Sequence, residues 1–382
     1  MQLRLPNSTS MAIMELSDYE EIVVKNIAGR YVSSDDIMFF LKEVNGLCKV
    51  ENIGKSVQQR PINSIEIGNG PCRILMWSQM HGNESTTTKA ILDLLNHFRK
   101  NRNITNKIIE NCTIKIIPIL NPDGACAYTR VNANNVDLNR DAKHLSQPES
   151  QILRNTFDSF KPHFAFNLHG QRTIYNVGVT NKSATISFLS PSVDDSRKLT
   201  DSRRKAMKLI VAMNQSLQKI IPGSVGRYDD GFNINCVGDT FQSLGCPTVL
   251  FEAGHFPDDY EREEVRKLIF ISLLTAIRVI NNSEVNTFDF EDYFDIPENG
   301  KQFFDILIKN IDYYDSKFEK EYAVGILFEE VLNGGKIDFI PKIEKTGILD
   351  SYFGHQTYDC SVEKDLLDIQ GRPDIRSIIN NI

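Results

Sequence analysis

The sequence predicts an α/β protein, with a mixed, largely parallel central sheet, helices on both of its faces, and a small β-rich C-terminal region. Three observations carry this prediction. Short apolar runs at residues 72–80, 113–120, 161–166 and 247–251 are each followed by polar or turn-forming residues, the pattern of strands buried on both faces. Segments with apolar residues recurring every three or four positions lie between them, and strand–helix–strand order implies parallel pairing. Near Asn281 the composition shifts to an acidic, aromatic stretch, then to short strand-like segments separated by glycine turns.

Taken in order, residues 1–64 read as a leading helical section packed on the central region. Ser17-Asp-Tyr-Glu and Asp35-Asp-Ile-Met-Phe-Phe-Leu carry it, with Met11 and Met14 as alternative starts. Residues 65–285 form the central domain, whose first buried strand, over 72–80, ends at His81. Ser85-Thr-Thr-Thr caps a helix over 89–98, and His97 near its C-terminal end is placed where a charged imidazole suits the helix dipole. The strand over 113–120 ends in an Asn121-Pro-Asp-Gly turn. Helices follow over 149–160 and 203–220, with a long one over 260–280 after the last core strand. Residues 286–382 make the β-rich appendage, strand-like at 304–311 and 336–343. It either flanks the site and restricts access or only stabilises the main domain. His355, in Phe353-Gly-His-Gln, reads as a loop residue.

At 382 residues the chain exceeds one ordinary hydrophobic core. Its 41% hydrophobic and 24% charged residues are those of a globular protein, and a net charge of −7 offers no general basic face for nucleic acid. No apolar run approaches the ~18 residues of a membrane span, and the first residues lack the apolar core of a secretory signal. The seven cysteines stand singly with no CxxC pair, so neither a disulfide framework nor a cysteine-ligated metal is indicated, and a cytoplasmic location is expected. The oligomeric state is not legible.

The chemistry concentrates at strand ends. His81-Gly-Asn-Glu84 delivers an imidazole and a carboxylate three residues apart, two of the three protein ligands of a catalytic zinc site of the His₂Glu type. Asn167-Leu-His169 supplies the third, because His169 also follows an apolar run and ligands gather at the C-terminal edge of parallel strands. Alone, His169 is equally a histidine satisfied by a backbone carbonyl; beside His81 and Glu84 the metal reading prevails. Imidazole with a single carboxylate suits Zn²⁺, one ion per chain. Glu252, following the run at 247–251, is costly to bury without a purpose. It is either a catalytic base or a strand-end glutamate paired with an arginine.

Five elements stand in order: His81-x-x-Glu84, Asn121-Pro-Asp-Gly, Val136-Asp-Leu-Asn-Arg140, Asn167-Leu-His169 and Leu250-Phe-Glu252. Through them residues 65–280 resemble the zinc carboxypeptidases of the carboxypeptidase A and B superfamily. The compact stretch 130–140 is similar to the short-loop bacterial branch that includes murein peptide amidase. The resemblance implies a carboxypeptidase-like fold and a role for each residue. His81, Glu84 and His169 would hold zinc, which lowers the pKa of a bound water towards ~7. Glu252 would be the general base, and Arg130 would polarise the scissile carbonyl and hold the oxyanion. Asn139 and Arg140 would clamp the substrate's terminal carboxylate, and Asp137 would accept a hydrogen bond from His81 and fix its tautomer.

Tyr228 lies near the place of the family's mobile tyrosine without matching its spacing. Asp239 falls in the region that lines the specificity pocket, either selecting a cationic side chain or capping a helix. Asp141 stands where many relatives have asparagine and adds a negative charge near Arg140. The implied function is a zinc-dependent metallocarboxypeptidase acting on a peptide or peptidoglycan fragment with a free carboxylate. Two alternatives stay open: an N-acyl amino acid deacylase using the same residues, and an inactive binding homologue, against which the complete ligand set and Glu252 argue.

Overall fold

Residues 49–67 mix polar side chains with Val50, Ile53, Ile62, Ile65 and Ile67, and they set one margin of the main sheet. In a computed structural model, which describes residues 19–44, 46–380 and 382, they form β1 (Lys49–Lys55) and β2 (Pro61–Ile67). The helical reading of residues 1–64 therefore fails beyond residue 48, where the two strands pair antiparallel with each other and β2 pairs antiparallel with β4. Met11, Met14 and Ser17 lie outside the described residues. The sheet continues through β4 (Cys112–Ile117), β3 (Cys72–Trp77), β5 (Phe164–Gly170), β9 (Thr248–Ala253), β7 (Ile186–Leu189) and β8 (Val225–Arg227), in that spatial order. Strands β4, β3, β5 and β9 run parallel, and β7 is antiparallel to β9. This is the mixed, largely parallel sheet predicted.

Side-chain alternation along β3 divides the core in two. Ile74 and Met76 enter one apolar cluster, Leu75 and Trp77 the other. The first is covered by α1 (Tyr19–Ile22), α2 (Ser34–Val44), α3 (Thr86–Lys100), α4 (Arg102–Asn111), α7 (Asp201–Leu217) and α9 (Glu263–Asn281). The second is covered by α6 (Pro148–Phe160) and α8 (Val237–Ser243), where the Trp77 ring meets Phe241 at 5.3 Å.

A buried ion pair locks the leading segment to this frame. Arg266 of α9 and Asp93 of α3 bond through two contacts of 2.6 Å. Asp93 also accepts from Tyr19 Oη at 2.6 Å and Val24 N–H at 2.8 Å, while Arg266 donates to the Ile27 and Val24 carbonyls. Every donor and acceptor of the pair is thus engaged, the condition under which a buried pair holds.

Two expectations about α3 are corrected. The Ser85 hydroxyl does not cap the helix but donates to the Arg30 carbonyl at 2.5 Å. His97 is not a charged residue at a helix end. It is 1% exposed against the Phe98 and Phe270 rings, and burial, then the charge of Arg278, pull its pKa down to about 4.

A two-residue antiparallel pair, β6 (Asn176–Val177) with β10 (Asn299–Gly300), precedes the C-terminal sheet, which runs in the order β13 (Lys336–Gly347), β12 (Ala323–Asn333), β11 (Phe303–Lys309) and β14 (Phe353–Asp359). The C-terminal region also carries α10 (Glu363–Gln370) and α11 (Pro373–Ile379), whose Ile369, Ile375 and Ile379 fill its core with Ile306, Ile308, Val324 and Ile326. His355 lies on β14 rather than in a loop, stacked on the Phe303 ring at 4.5 Å and 4.2 Å from the His255 ring. Among the described residues, no helix is long and apolar enough to cross a membrane.

Candidate active site

The chain leaves β3 and packs at once against the start of α5 (Pro122–Ala127). Asn121 caps α5 by accepting from Gly124 N–H at 2.9 Å, with proline at the first helical position, so Asn121-Pro-Asp-Gly opens a helix instead of closing a turn. The Asn121 amide also donates to Met80 O at 3.2 Å. Gly82 lies so close to this helix that a Cβ there would sit 1.9 Å from the Gly124 carbonyl carbon. That contact fixes the loop carrying His81 and Glu84.

His81, Glu84 and His169 converge, with one ligand atom from each within 4.8 Å of the others. His81 Nδ1 stands 2.9 Å from Glu84 Oε1 and 3.1 Å from His169 Nδ1, which lies 3.0 Å from Glu84 Oε2. Two ligands at 2.0–2.1 Å from a tetrahedral zinc are roughly 3.3 Å apart, so the donor set and its spacing fit the ion. Gly170 N–H donates to Glu84 Oε2 at 2.9 Å, a backbone contact no sequence motif announces. Burial would raise the Glu84 pKa, but His81 and His169 outweigh it and hold the carboxyl well below the usual carboxylate range. For His81, burial disfavours the charged ring, yet Glu84 and Asp137 together raise its pKa. Burial dominates at His169 and lowers its pKa.

Register places the next residue. On the parallel pair β5 and β9, His169 faces Glu252 as its direct partner. Glu252 is 9% exposed, and burial followed by the Glu84 charge pushes its pKa well up, with Arg130 opposing. Its Oε2 has no hydrogen-bond partner among the described residues, so the strand-end ion pair does not form. Asp137 Oδ1 lies 3.0 Å from His81 Nε2, and Asp137 Oδ2 accepts from Arg130 Nε at 3.1 Å. Arg130 also reaches Glu84 Oε1 at 3.3 Å, which brings the guanidinium to the His81, Glu84 and His169 cluster.

Asn139 and Arg140 border the cleft at the N-terminus of α8. Asn139 Oδ1 accepts from Val237 N–H at 3.0 Å, and Arg140 contacts Cys236 Sγ at 3.1 Å. Asp141 turns away from Arg140. Its carboxylate accepts from Ser146 N–H, Ser146 Oγ and Gln147 N–H, so its charge organises the loop before α6 and is not presented to a ligand. Cys236, not Asp239, occupies the cap position of α8, and Asp239 stands in the first turn. Burial pushes the Asp239 carboxyl up to about 7. Tyr228 lines the cleft with its ring 5.2 Å from Tyr175.

His81, Glu84, Arg130, Asn139, Arg140, His169, Tyr228, Asp239 and Glu252 line one cleft of about 690 Å³, whereas Asp137 and Asp141 lie outside its lining. Sequence reasoning missed several others. Asn167 is fully buried with neither amide atom bonded among the described residues, although it stood inside a quoted motif. Gln171, Arg172 and Arg262 line the same cleft, as do Asp305, Phe328, Glu330 and Phe339 from the C-terminal sheet. No local pattern marks those four, because only the docking of the second sheet brings them there.

The zinc carboxypeptidase family model matches residues 38–240, a span that holds every proposed ligand and stops before Glu252. Carboxypeptidase SOL1 of Arabidopsis thaliana is 31% identical over 170 residues, 38% of this chain and 34% of that protein. Human carboxypeptidase D is 25% identical over 207 residues, 47% of this chain and 15% of that protein. The chain thus spans about a third or less of the length of these curated relatives. Among solved structures, carboxypeptidase A of Helicoverpa armigera superposes with a TM-score of 0.53 at 16% identity, covering 72% of this chain and 80% of that one. A metallo-carboxypeptidase from Burkholderia cenocepacia gives 0.52 at 17% identity, covering 66% and 70%. These two share the fold. Since the family match takes in just over half of its length, the chain belongs to the zinc carboxypeptidase family.

Proposed function

We propose that the protein is a zinc-dependent metallocarboxypeptidase that hydrolyses the C-terminal amide bond of a peptide or peptidoglycan fragment. The observation that carries this reading is the convergence of His81, Glu84 and His169 beside a buried, unpartnered Glu252. Zinc, when bound, supplies the Lewis acidity that acidifies a water and polarises a carbonyl. The side chains supply the rest.

His81 donates from Nε2 to Asp137, which leaves the Nδ1 lone pair facing Glu84 and His169. Glu252, buried and with Oε2 unbonded, takes the proton of the attacking water and returns it to the departing amine. Arg130, tethered by Asp137 and Glu84, holds positive charge where the oxyanion develops. Asn139 commits its side-chain oxygen to α8, so its amide N–H₂ is the group left to face a substrate carboxylate beside Arg140. An internal peptide bond offers no such carboxylate, and this favours an exopeptidase.

The test is incubation of zinc-loaded protein and its Glu252→Gln variant with a library of short peptides and N-acyl amino acids, read by mass spectrometry. Release of single C-terminal residues, lost by several orders of magnitude in Glu252→Gln, is expected. Release of acyl groups alone would replace the reading with a deacylase.

A further inference from the structure

We propose that the cleft contains a second recognition site, for a carboxylate on the acyl side of the scissile bond, formed by Arg172 and Arg262 against the C-terminal sheet. This deepens the peptidase reading and rests on it for which side of the bond is meant. Residues 169–174 lead from the metal centre to that sheet. Gly170 N–H binds Glu84, the Thr173 carbonyl meets His355 Nε2 at 2.9 Å, and Ile174 packs against Phe304, Leu307 and Leu327. Arg172 falls on this path, exposed and lining the cleft, with no hydrogen bond or ion pair among the described residues.

Arg262 lines the same cleft but is 2% exposed. Its two terminal nitrogens donate to the Ala253 carbonyl at 2.8 Å and the Gln171 carbonyl at 3.1 Å, clamping the ends of β9 and β5 next to Glu252 and His169. Its Nε–H has no partner, and no carboxylate lies within ion-pair distance among the described residues. The residue is held at φ 61, in the left-handed region that a side chain occupies only when its surroundings impose it.

The carboxylates at this end are already engaged. Glu330 accepts from Arg30 and Tyr128, and Asp305 accepts from Tyr260 Oη and Phe328 N–H. Arg172 and Arg262 therefore face the cleft with no carboxylate in ion-pair contact among the described residues, and the buried Arg262 charge is met at hydrogen-bond distance by two backbone carbonyls alone. A ligand carboxylate supplies the partner, in the bidentate geometry a guanidinium favours. Tyr260, Phe328 and Phe339, with ring centroids 5.3–6.2 Å apart, line the same wall and offer an apolar surface to the stem of an acidic side chain. The substrate class is a peptide with an acidic residue immediately before the one released; a lysine or arginine there meets like charge.

The experiment uses zinc-loaded Glu252→Gln protein, so that peptides bind without turnover, and calorimetry with the pairs Ala-Glu-X and Ala-Gln-X, where X is Ala, Lys or Phe. A charge-assisted hydrogen bond predicts that the Glu peptide of at least one pair binds ~10-fold or more tightly than its Gln partner. That advantage shrinks to within ~2-fold when Arg172→Gln is added, and salt weakens it. Arg172 is exposed, so this variant tests the site even if Arg262→Gln fails to fold. Equal affinity within every pair, an advantage that survives Arg172→Gln, or no binding at millimolar peptide would each overturn the proposal. Wild-type turnover of the same peptides separates the two readings. Preferential binding without cleavage removes the peptidase and keeps this site, whereas cleavage indifferent to Glu removes this site alone.

Discussion

Replacing Gly82 with alanine adds one methyl group and, on this geometry, separates His81 and Glu84, two of the proposed zinc ligands, from His169, the third. The new Cβ would stand 1.9 Å from the Gly124 carbonyl carbon, 2.2 Å from Ala125 N and 2.4 Å from Gly124 O. All three are backbone atoms at the start of α5, so no side chain can swing aside. Carbon atoms pack at about 3.5–4.0 Å, which requires the loop and the helix to part by roughly 1.5 Å. His81 precedes Gly82 directly and Glu84 follows by two residues, so both ligands move with the loop, while His169 on β5 stays. A constellation of this kind functions within about 0.5 Å of its proper geometry. We expect zinc affinity to fall by ~100-fold or more, about 2.7 kcal/mol, with overpacking costing a further ~1–3 kcal/mol of stability. Competition against a chromophoric chelator gives the affinity, and circular dichroism establishes that the variant is folded. A folded Gly82→Ala protein binding zinc within ~3-fold of wild type would refute the reasoning.

Three other perturbations have defined outcomes. Asp137→Asn puts an amide where His81, Arg130 and the Asn139 N–H now meet a carboxylate, and zinc affinity measured by the same competition should fall ~10–100-fold; an unchanged value would remove Asp137's role. Asp93→Asn strands Arg266 in the core, so chemical denaturation should show a loss of about 3–5 kcal/mol. His97 makes stability depend on pH. Unfolded, it takes a proton near 6.5, but folded only at about 4, so stability falls as pH drops from 6.5 to 4, by up to ~3 kcal/mol, and His97→Phe should flatten that decline in a urea-midpoint titration.

What the sequence revealed divides along the range of the interactions involved. The parallel strands were legible because burial on both faces makes them continuous apolar runs, and the convergence of His81, Glu84 and His169 was legible because those strands end at one edge of the sheet. Residues 49–67 were misread because antiparallel margin strands mix polar and apolar residues and lack that continuity. His97 was misjudged for a related reason: helical position suggests exposure, while the packing of α9 on α3 buries it. The cleft wall at Asp305, Phe328, Glu330 and Phe339 had no local signature, since it exists only once the second sheet docks. Gly170 N–H on Glu84 is a backbone contact and carries no residue code.

The central claim is that hydrolysis depends on one zinc held by His81, Glu84 and His169. The direct measurement is turnover of metal-free protein, on a peptide it cleaves, titrated with zinc. Activity should rise from background in proportion to added zinc and level off at one equivalent, and His169→Ala should leave it at background at that stoichiometry. Full turnover in chelator, or a His169→Ala protein activated by one equivalent as wild type is, would contradict the account.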